Sequence, residues 1–446
     1  HTSCVALCSL RLCSTESISP GAPSDAQIQP PASARAVQRM TSVHLALGQT
    51  GADVASHFWR IAAGEAADAD DKHRRKGALF DVRRQTARAI IIDGDDRALE
   101  GCQVLGGKRP VFDPRNIVTK GNFGCGKCFG MGFAKREELR EMAEERLRRE
   151  AERCSRVDTL SFLFSIDGGS SGLASALLQG ARDDYPTSTL LGVALSRRGF
   201  GTPMAAYNAC LSLHQLTEYA DGTIWRDYAC DAPTEEPNVA FARDLAGLFL
   251  PRVQDTIERQ FCGQRDVVLR CCTSLPFCDV RSTLSKPVKK SDDWPKLASR
   301  LAEAFPKADV LDRPLVACQA TAVARGVGDA SPLPLTMLRK RLAPDARRAP
   351  PGAVLFEPHA LSRSSHKVDG QRSLTCVAQT NLAPALLVDY LDKLAKLRSM
   401  GAYQQHFAKY GLEDADFGAC SEALCGVVDA YDSRFGFLPE PPPPPS

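Results

Sequence analysis

The chain has 446 residues, of which 43% are hydrophobic and 24% charged, and its formal net charge is +3. This composition is typical of a globular protein of about two or three domains, and the charge is too near balance to indicate a nucleic-acid or membrane partner. No apolar run approaches the roughly 18 residues of a membrane-spanning helix. The 17 cysteines are irregularly spaced and odd in number, which argues against a complete disulfide framework and favours reduced thiols inside the cell.

Residues 1–39 are rich in Pro, Ser and Ala and show no sustained period, so we expect them to be disordered. Met40 directly precedes the first patterned segment and is our expected start, which would make the preceding residues a gene-model artefact. A transit peptide is the alternative, because the segment is rich in Ser, poor in acids and carries several arginines.

The first patterned segment predicts a strand at residues 43–47, a glycine turn and a helix. Gly48, Gln49 and Thr50 form the turn, and Val54 and Phe58 follow at helical spacing. The sequence therefore begins with a strand, turn and helix unit, the building block of a parallel sheet.

An acidic turn follows the next predicted strand, residues 87–92. Asp93, Asp95 and Asp96 stand at its carboxyl end. They could hold a magnesium ion beside a phosphate, because magnesium binds one or two carboxylates and leaves its other positions to water and phosphate oxygens. A solvated acidic turn is the alternative.

A third turn, residues 121–132, is rich in glycine. Gly124 and Gly126 make it flexible, and Lys127 could reach an anion. Cys125 and Cys128 have the spacing of zinc ligands, but no clearly spaced second pair accompanies them. The following helix, residues 136–153, carries both signs of charge and is expected on the surface.

The most informative stretch is residues 159–178, where a buried strand ends on small residues and reopens as an apolar helix. The small residues that let backbone amides point outward are Gly168, Gly169, Ser170, Ser171 and Gly172. Because the next helix adds its positive end, a phosphate is the natural occupant. Ser165, Ser170 and Ser171 could add hydroxyl donors. An ordinary strand-to-helix turn is the alternative.

Further strand and helix signals continue this alternation. A strand is predicted at residues 190–195 and helices at residues 207–216 and 238–250. Repeated units of this kind predict an α/β fold with a doubly wound sheet, whose ligands bind beyond the carboxyl ends of the strands. Asn238 could offer its amide to a base edge, or could serve as a helix cap.

The pattern changes after about residue 264. Short strands are predicted at residues 267–271, 315–324 and 374–378, and a long surface loop at residues 329–352. Helices are expected within residues 386–431. We therefore divide the chain into five segments: an extension at 1–39, a nucleotide-binding domain at 40–250, an α+β intermediate domain at 251–385, carboxy-terminal helices at 386–435 and a proline-rich tail at 436–446.

The order of these motifs resembles the tubulin superfamily. The shared motifs are GQT at residues 48–50, IDGD at 92–95, GCGKCFGMGF at 124–133, DGGSSG at 167–172 and AAYNACLSLHQLTEYAD at 205–221. Within the superfamily, the chain looks most like the delta-tubulins, because of ARAIIID at residues 87–93 and AYQQHFAKYGLEDADF at 402–417.

The resemblance implies a tubulin-like fold that binds GTP or GDP with Mg2+. Carried over by position, Gln49 and Thr50 lie against the phosphates, Asp95 serves the magnesium and Asn238 pairs with the guanine edge. Ser165, Gly169 and Ser170 would cradle the phosphates. A second guanine-contacting position falls on Tyr228, which can stack on the base. An NAD-dependent enzyme is disfavoured, since GQTGAD lacks the GxGxxG spacing.

Several family residues are replaced in this chain. The nest GGSSG is one residue shorter than the family's GGTGSG, and the ribose-binding Glu falls on Ala205. A hydrogen bond to a nucleotide is worth about 1 kcal/mol, so two or three losses would weaken binding by roughly tens- to hundredsfold. The acid that positions the attacking water on a neighbouring subunit falls on Leu269, so little or no hydrolysis is expected there.

These features indicate a divergent delta-like tubulin that joins other tubulins, of the alpha, beta or epsilon type, in centrioles, basal bodies or cilia. We expect it in the cytoplasm and cytoskeleton, with the nucleus as a further site. The alternative is a regulator or assembly factor of the same fold that binds GTP without entering a polymer.

Overall fold

A computed structural model describes residues 41–68, 79–81, 83–96, 102, 111–120, 124–134, 137–197, 202–230, 236–250, 264–272, 275–285, 294–326, 335–342, 354–355, 361–364 and 367–435. The predictions for residues 1–39 and for the tail lie outside these ranges. The division into domains stays a prediction.

The strands of the described residues are β1 Ser42–Leu47, β2 Ala89–Asp93, β3 Ile117–Thr119, β4 Thr159–Ser165, β5 Thr189–Ser196, β6 Gly222–Asp227, β7 Phe277–Leu284, β8 Ala317–Arg325, β9 Val354–Leu355, β10 Leu361–Ser364 and β11 Ser373–Thr380. The helices are α1 Gly48–Asp68, α2 Phe129–Ala134, α3 Glu137–Ala151, α4 Ser170–Asp184, α5 Ala205–Tyr219, α6 Pro237–Phe249, α7 Gln264–Cys271, α8 Trp294–Ala304, α9 Thr336–Leu342, α10 Leu382–Ser399, α11 Gln404–Ala408 and α12 Asp414–Phe435.

The described strands form one eleven-stranded sheet in the order β10-β8-β11-β7-β6-β5-β4-β1-β2-β3, with β9 beside β8. From β3 through to β7 every neighbouring pair is parallel. Strand β11 is antiparallel to both β7 and β8. The predicted α/β class is confirmed: a doubly wound parallel sheet continues into a mixed sheet.

The strand order reverses between β1 and β4. The chain builds outward from β1 through β2 to β3, then returns to the other side of β1 with β4, β5 and β6. In open α/β sheets, the crevice for a ligand lies at the carboxyl ends of the two strands that flank such a reversal. The start of α1 and the nest after β4 are therefore placed side by side.

Helices cover both faces of the sheet, because its central strands are apolar on both sides. Every residue of β1 and β5 is buried, as a parallel strand between two helical layers requires. One core cluster joins the sheet to α1, α6 and α7 through Phe58, Leu245 and Val268. The other core cluster holds side chains of α3, α4, α5, α8, α9, α10 and α12.

A buried charged cluster attaches α6 to the middle of the sheet. Arg226 of β6 pairs with Asp244 of α6 and, at 3.3 Å, with Asp279 of β7. Arg281 pairs with the same Asp279 at 2.8 Å. Burial raises the pKa of Asp244 to about 6, although Arg226 opposes that shift. These contacts fix the position of α6, because breaking a buried ion pair is strongly destabilising.

The predicted strand at residues 267–271 is wrong, because these residues belong to helix α7. Val268 and Cys271 are both fully buried and lie three positions apart, whereas Arg270 is exposed. This spacing defines one face of a helix. The neighbouring pair of valines favours a strand only locally, and tertiary packing overrides that preference.

Two predicted loops also contain helices. The loop at residues 329–352 includes α9, whose Leu338 and Leu342 are fully buried at helical spacing; residues 327–334 and 343–353 lie outside the described part. In the glycine turn at 121–132, the last residues form α2. Gly130 and Gly132 sit in this helix because other parts of the chain approach it closely: added Cβ atoms would lie 2.9 Å from Tyr410 Cβ and 2.1 Å from the Gly169 carbonyl oxygen.

Within the described ranges, no helix is long and apolar enough to cross a membrane. The cysteines there are free thiols.

Candidate functional site

The glycine turn predicted at residues 48–50 is wrong, because α1 begins at Gly48 directly after β1, and this start of α1 touches the nest after β4. Gly48 has a φ of +73°, which favours glycine. A Cβ added to Gly48 would lie 2.4 Å from Ser170 Oγ. The start of α1 and the nest therefore form one continuous surface, which includes Gln49 and Thr50 of the first turn of α1.

The nest itself has one accessible side. Gly169 precedes α4, and the Ser171 and Gly172 amides bond back to the carbonyls of Gly168 and Gly169 at 3.2 Å. Around the Cβ position of Gly168, the nearest side-chain atom is Ser170 Oγ at 3.9 Å. A ligand can approach the backbone at Gly168 and the hydroxyl of Ser170 without displacing other atoms.

Ser171 and Gly172 serve the fold of the nest instead. The Ser171 hydroxyl donates to the Gly168 carbonyl at 2.7 Å, and its side chain is fully buried. A Cβ on Gly172 would lie 1.9 Å from the Phe129 carbonyl oxygen, so this glycine lets α4 pack against α2. Of the three predicted hydroxyl donors, Ser165 and Ser170 keep a hydroxyl that the turn does not use.

The third glycine turn completes the floor of the crevice. Gly124 and Gly126 have φ values of +50° and +64°. The Gly124 amide donates to the Gly94 carbonyl at 3.0 Å, and a Cβ on Gly169 would lie 2.3 Å from the Cys125 carbonyl oxygen. This turn therefore bridges the acidic turn and the nest, and it leaves Lys127 exposed beside them.

The acidic turn does not form a three-carboxylate cage. Asp93 Oδ1 accepts from the Asp95 amide at 3.1 Å, and Asp96 accepts from the Thr119 hydroxyl. Among the described residues, no group of three or more His, Cys, Asp or Glu side chains converges on a metal position. Asp95 remains half-buried in a turn that contacts the glycine floor, and one such carboxylate fits a magnesium ion whose other ligands are water and phosphate.

Burial changes the protonation of the acidic turn. It raises the pKa of Asp93 to about 6, against the opposing effect of the Asp95 and Gly94 amides. A carboxylate with a raised pKa is more readily neutralised. Asp93 is still mostly ionised at neutral pH, and its carboxylate holds the turn in shape by accepting from the Asp95 amide.

Tyr228 and Asn238 meet at the far end of the crevice. Tyr228 opens a short 3-10 turn directly after β6 and donates its hydroxyl to Asn238 Oδ1 at 2.9 Å. The Arg197 guanidinium lies 5.3 Å from the centre of the Tyr228 ring. The Asn238 side chain makes no helix cap, since Glu236 occupies the cap position of α6 and Pro237 its first turn. The cap alternative for Asn238 is excluded.

Comparisons with known proteins agree with this geometry. Residues 41–229 match the family described as Tubulin/FtsZ family, GTPase domain. Similar proteins include the tubulin beta-1 chain of Hypocrea rufa, 28% identical over 207 residues that cover 43% of this chain and 46% of that protein. A tubulin beta chain of Trichophyton rubrum is 28% identical over 201 residues, 42% of this chain and 44% of that protein.

Residues 41–229 thus resemble the GTPase domain of the Tubulin/FtsZ family. The predicted tubulin-like fold is confirmed at this level. The chain spans less than half the length of the curated relatives that it matches. Asn238, at the end of the crevice, lies just beyond the matched residues.

Asn208, within the matched residues, holds a position in the site that the sequence analysis did not assign. Its Nδ2 donates to the carbonyls of Lys127 and Asp167 at 2.8 and 2.9 Å, and its Oδ1 accepts from the Phe129 amide at 2.8 Å. The side chain is fully buried. It joins the glycine floor to the nest, so it is a positioning residue. A polar amide within the apolar helix AAYNACLSL was the available signal.

Asp167 connects the nest to helix α10. Its carboxylate accepts from the Arg197 amide at 2.6 Å and from the Tyr390 hydroxyl of α10 at 3.0 Å. Burial raises the pKa of Asp167 to about 6, and these two hydrogen bonds oppose the rise.

Ala205 and Leu269 stand where the resemblance places acidic residues, and both are apolar. Ala205 is the first residue of α5 and carries no polar group at the predicted ribose position. Leu269 lies on α7, partly buried against the core that α7 shares with the sheet. Neither residue can hold a proton or orient water.

Proposed function

We propose that this chain is a divergent, delta-like tubulin: a GTP-binding cytoskeletal subunit that associates with other tubulins in centrioles, basal bodies and cilia. The observation that supports it best is the crevice floor, where the turns after β2 and β4 and the glycine turn before α2 lie in backbone contact and Gly48 lies against the Ser170 side chain. A floor of main-chain groups at a helix N-terminus is suited to phosphates.

One end of the crevice binds the phosphates of GTP or GDP, and the other end binds the base. At one end, Ser170 and the backbone around Gly168 and Gly169 hold the phosphates, with Gln49 and Thr50 on the facing turn. Asp95 would hold a magnesium ion, which supplies charge neutralisation for the phosphates. At the other end, Asn238 reads the base edge and Tyr228 stacks beneath it. Because Ser171 is used within the turn, the phosphates receive fewer hydroxyl donors than the sequence alone suggests.

Hydrolysis is a separate question from binding. A catalytic contribution to a neighbouring subunit requires an acid that can orient a water molecule, whereas Leu269 is apolar and rests against the core. We therefore propose that the chain adds little or no hydrolysis to a bound tubulin partner. Stimulated phosphate release from a partner by the purified chain would contradict this.

The test of nucleotide binding is the nucleotide content of the purified full chain, released by denaturation and separated by chromatography. We expect near-stoichiometric GTP or GDP, and a loss of about tenfold or more in affinity for Asn238→Ala, because each hydrogen bond to the base contributes about 1 kcal/mol. Gln404→Ala, which removes an amide from α11 that bonds Asp414, is the matched control. A folded protein that is empty and cannot be loaded would refute the proposal.

The second candidate is a GTP-binding regulator or assembly factor that never enters a polymer. The absence of an acid at Leu269 favours it, since a subunit that cannot promote its neighbour's hydrolysis contributes little to turnover of a polymer. Incorporation into a detergent-resistant axoneme or centriole separates the two candidates. The tagged chain would remain with the insoluble structure if it is a subunit, and would wash away if it is a soluble factor. Imaging the tagged chain before extraction tests the expected cytoplasmic, cytoskeletal and nuclear locations.

A further inference from the structure

Asp53 lies at the base end of the crevice, on the first turns of α1. It follows Thr50 by three residues, so the helix carries it from the phosphate end toward Asn238. Its Oδ2 atom is 3.5 Å from Asn238 Nδ2. An acidic side chain and the amide that would read the base therefore face the same small space, from α1 on one side and α6 on the other.

The surroundings of Asp53 are partly desolvated and mixed in charge. Burial is the largest influence and raises the pKa of Asp53, while His57, one turn further along α1, lowers it. Glu236 raises the pKa and Arg197 lowers it. The Arg197 guanidinium favours the charged form of Asp53, and a hydrogen bond to a charged acceptor in a half-buried position is strong.

The polar groups at this end match the edge of guanine. That edge presents one acceptor, the O6 oxygen, and two donors, the N1–H and the exocyclic 2-amino group. The amide of Asn238 provides two N–H donors and one acceptor oxygen, Oδ1, which already receives the Tyr228 hydroxyl. A second acceptor is needed for the 2-amino group, and an ionised carboxylate offers only acceptors.

We propose that Asp53 is a specificity-determining residue that accepts a hydrogen bond from the 2-amino group of the guanine base. This inference rests on the proposed function, because it assigns a role within the same nucleotide site. Adenine has no amino group at that position, and xanthine has an oxygen there that an ionised carboxylate repels. Asp53 therefore selects guanine by attraction and rejects xanthine by repulsion.

A purely structural role for Asp53 makes a different prediction. If Asp53 only holds Asn238 in place, its removal lowers the affinity for every purine nucleotide by a similar factor. If Asp53 reads the 2-amino group, its removal changes the ratio between nucleotides that differ only at that position. GTP, ITP, which lacks the amino group, and XTP, which has an oxygen there, are the three probes.

The experiment measures the affinities of GTP, ITP and XTP for the full chain and for Asp53→Asn. The unsubstituted chain should prefer GTP to ITP by roughly 10- to 100-fold, since a hydrogen bond to a charged group is worth that factor. In Asp53→Asn the ratio of the GTP affinity to the ITP affinity should fall by about tenfold, and the affinity for XTP should rise. Glu236→Gln is the control, because it removes a neighbouring carboxylate that makes no side-chain cap on α6.

The outcomes are distinguishable. A GTP to ITP ratio that is the same in Asp53→Asn and in the unsubstituted chain would overturn the role of Asp53 and leave the nucleotide site standing. An equal change in Glu236→Gln would show a general effect of charge and would also overturn it. A folded chain that binds none of the three nucleotides would overturn the proposed function itself.

Discussion

The buried histidine of β1 makes the stability of this fold depend on pH. His44 Nδ1 lies 2.6 Å from Ser161 Oγ on β4. Among the described residues, Nε2 has no hydrogen-bond partner. The ring is surrounded by Phe58, Trp59 and Phe249, with ring centres 5.5 to 6.1 Å away. Such a site disfavours the imidazolium, and burial lowers the pKa of His44 from 6.5 to about 4.

The size of the effect follows from this shift. Above pH 6.5 the histidine is neutral in both states and costs nothing. As the pH falls from 6.5 to 4, the unfolded chain takes up the proton first, so the free energy of unfolding falls. The shift from 6.5 to about 4 corresponds to a loss of about 3 kcal/mol, complete only below pH 4.

The assay is urea unfolding between pH 4.5 and 7.5 for the unsubstituted chain and His44→Gln. Asp93, Asp167 and Asp244 have pKa values raised to about 6, so they act in the opposite direction: their contribution is present at low pH and is lost as the pH rises toward 6. The difference between the two proteins cancels these carboxylates. That difference should narrow or reverse as the pH falls, because the variant lacks the cost of charging His44.

His406→Gln, at an exposed position on α11, is the control for the loss of a histidine side chain. Parallel curves for the unsubstituted chain and His44→Gln would refute the reasoning, because they would mean that His44 is protonated equally in the folded and unfolded chains.

Three further predictions concern buried polar groups. Asn208→Ala removes three hydrogen bonds between the glycine floor and the nest, and should lower the free energy of unfolding by about 2–3 kcal/mol; unchanged urea unfolding would contradict this. Asp244→Ala leaves buried Arg226 without one carboxylate partner and should cost about 3–5 kcal/mol, so a cost below about 1 kcal/mol would argue against it. Tyr390→Phe should cost about 1 kcal/mol at pH 8, where Asp167 is charged, and less at pH 5; equal costs would disprove the link.

The parallel half of the fold could be predicted from sequence because its strands are buried on both faces. Predominantly apolar runs such as LSFLF before the nest identify such strands, and small residues follow this one where the chain turns. The carboxyl ends of parallel strands meet at one edge, so the positions of Gly48 and Ser170 in one site followed from topology alone.

The errors lie where a local preference and the tertiary environment disagree. Residues 267–271 contain two valines, yet they form a helix because Val268 and Cys271 must face the same core. Gly130 and Gly132 suggest a flexible loop, yet they lie in a helix because neighbouring backbone leaves no room for side chains. The sequence shows the residue types but not which distant atoms approach them.

The partners within the site were the least predictable part. Tyr228 and Asn238 are each suited to a base, but their hydrogen bond to each other depends on how β6 and α6 pack. Asp53 lies outside the quoted motifs and Asn208 lies inside one without an assigned role, and their roles follow from neighbours that are 185 and 81 residues away in the chain.

The close contacts among the glycines predict what random mutagenesis of this site would recover. Since the floor of the crevice consists of main chain, deleting a side chain there removes little. Damage comes from added atoms, because one methyl group at Gly48, Gly94 or Gly169 would occupy space already held by another turn. Among variants that lose nucleotide binding, those at these glycines should therefore carry larger residues. Variants that shorten a side chain should instead be found at Asn208 and Asn238.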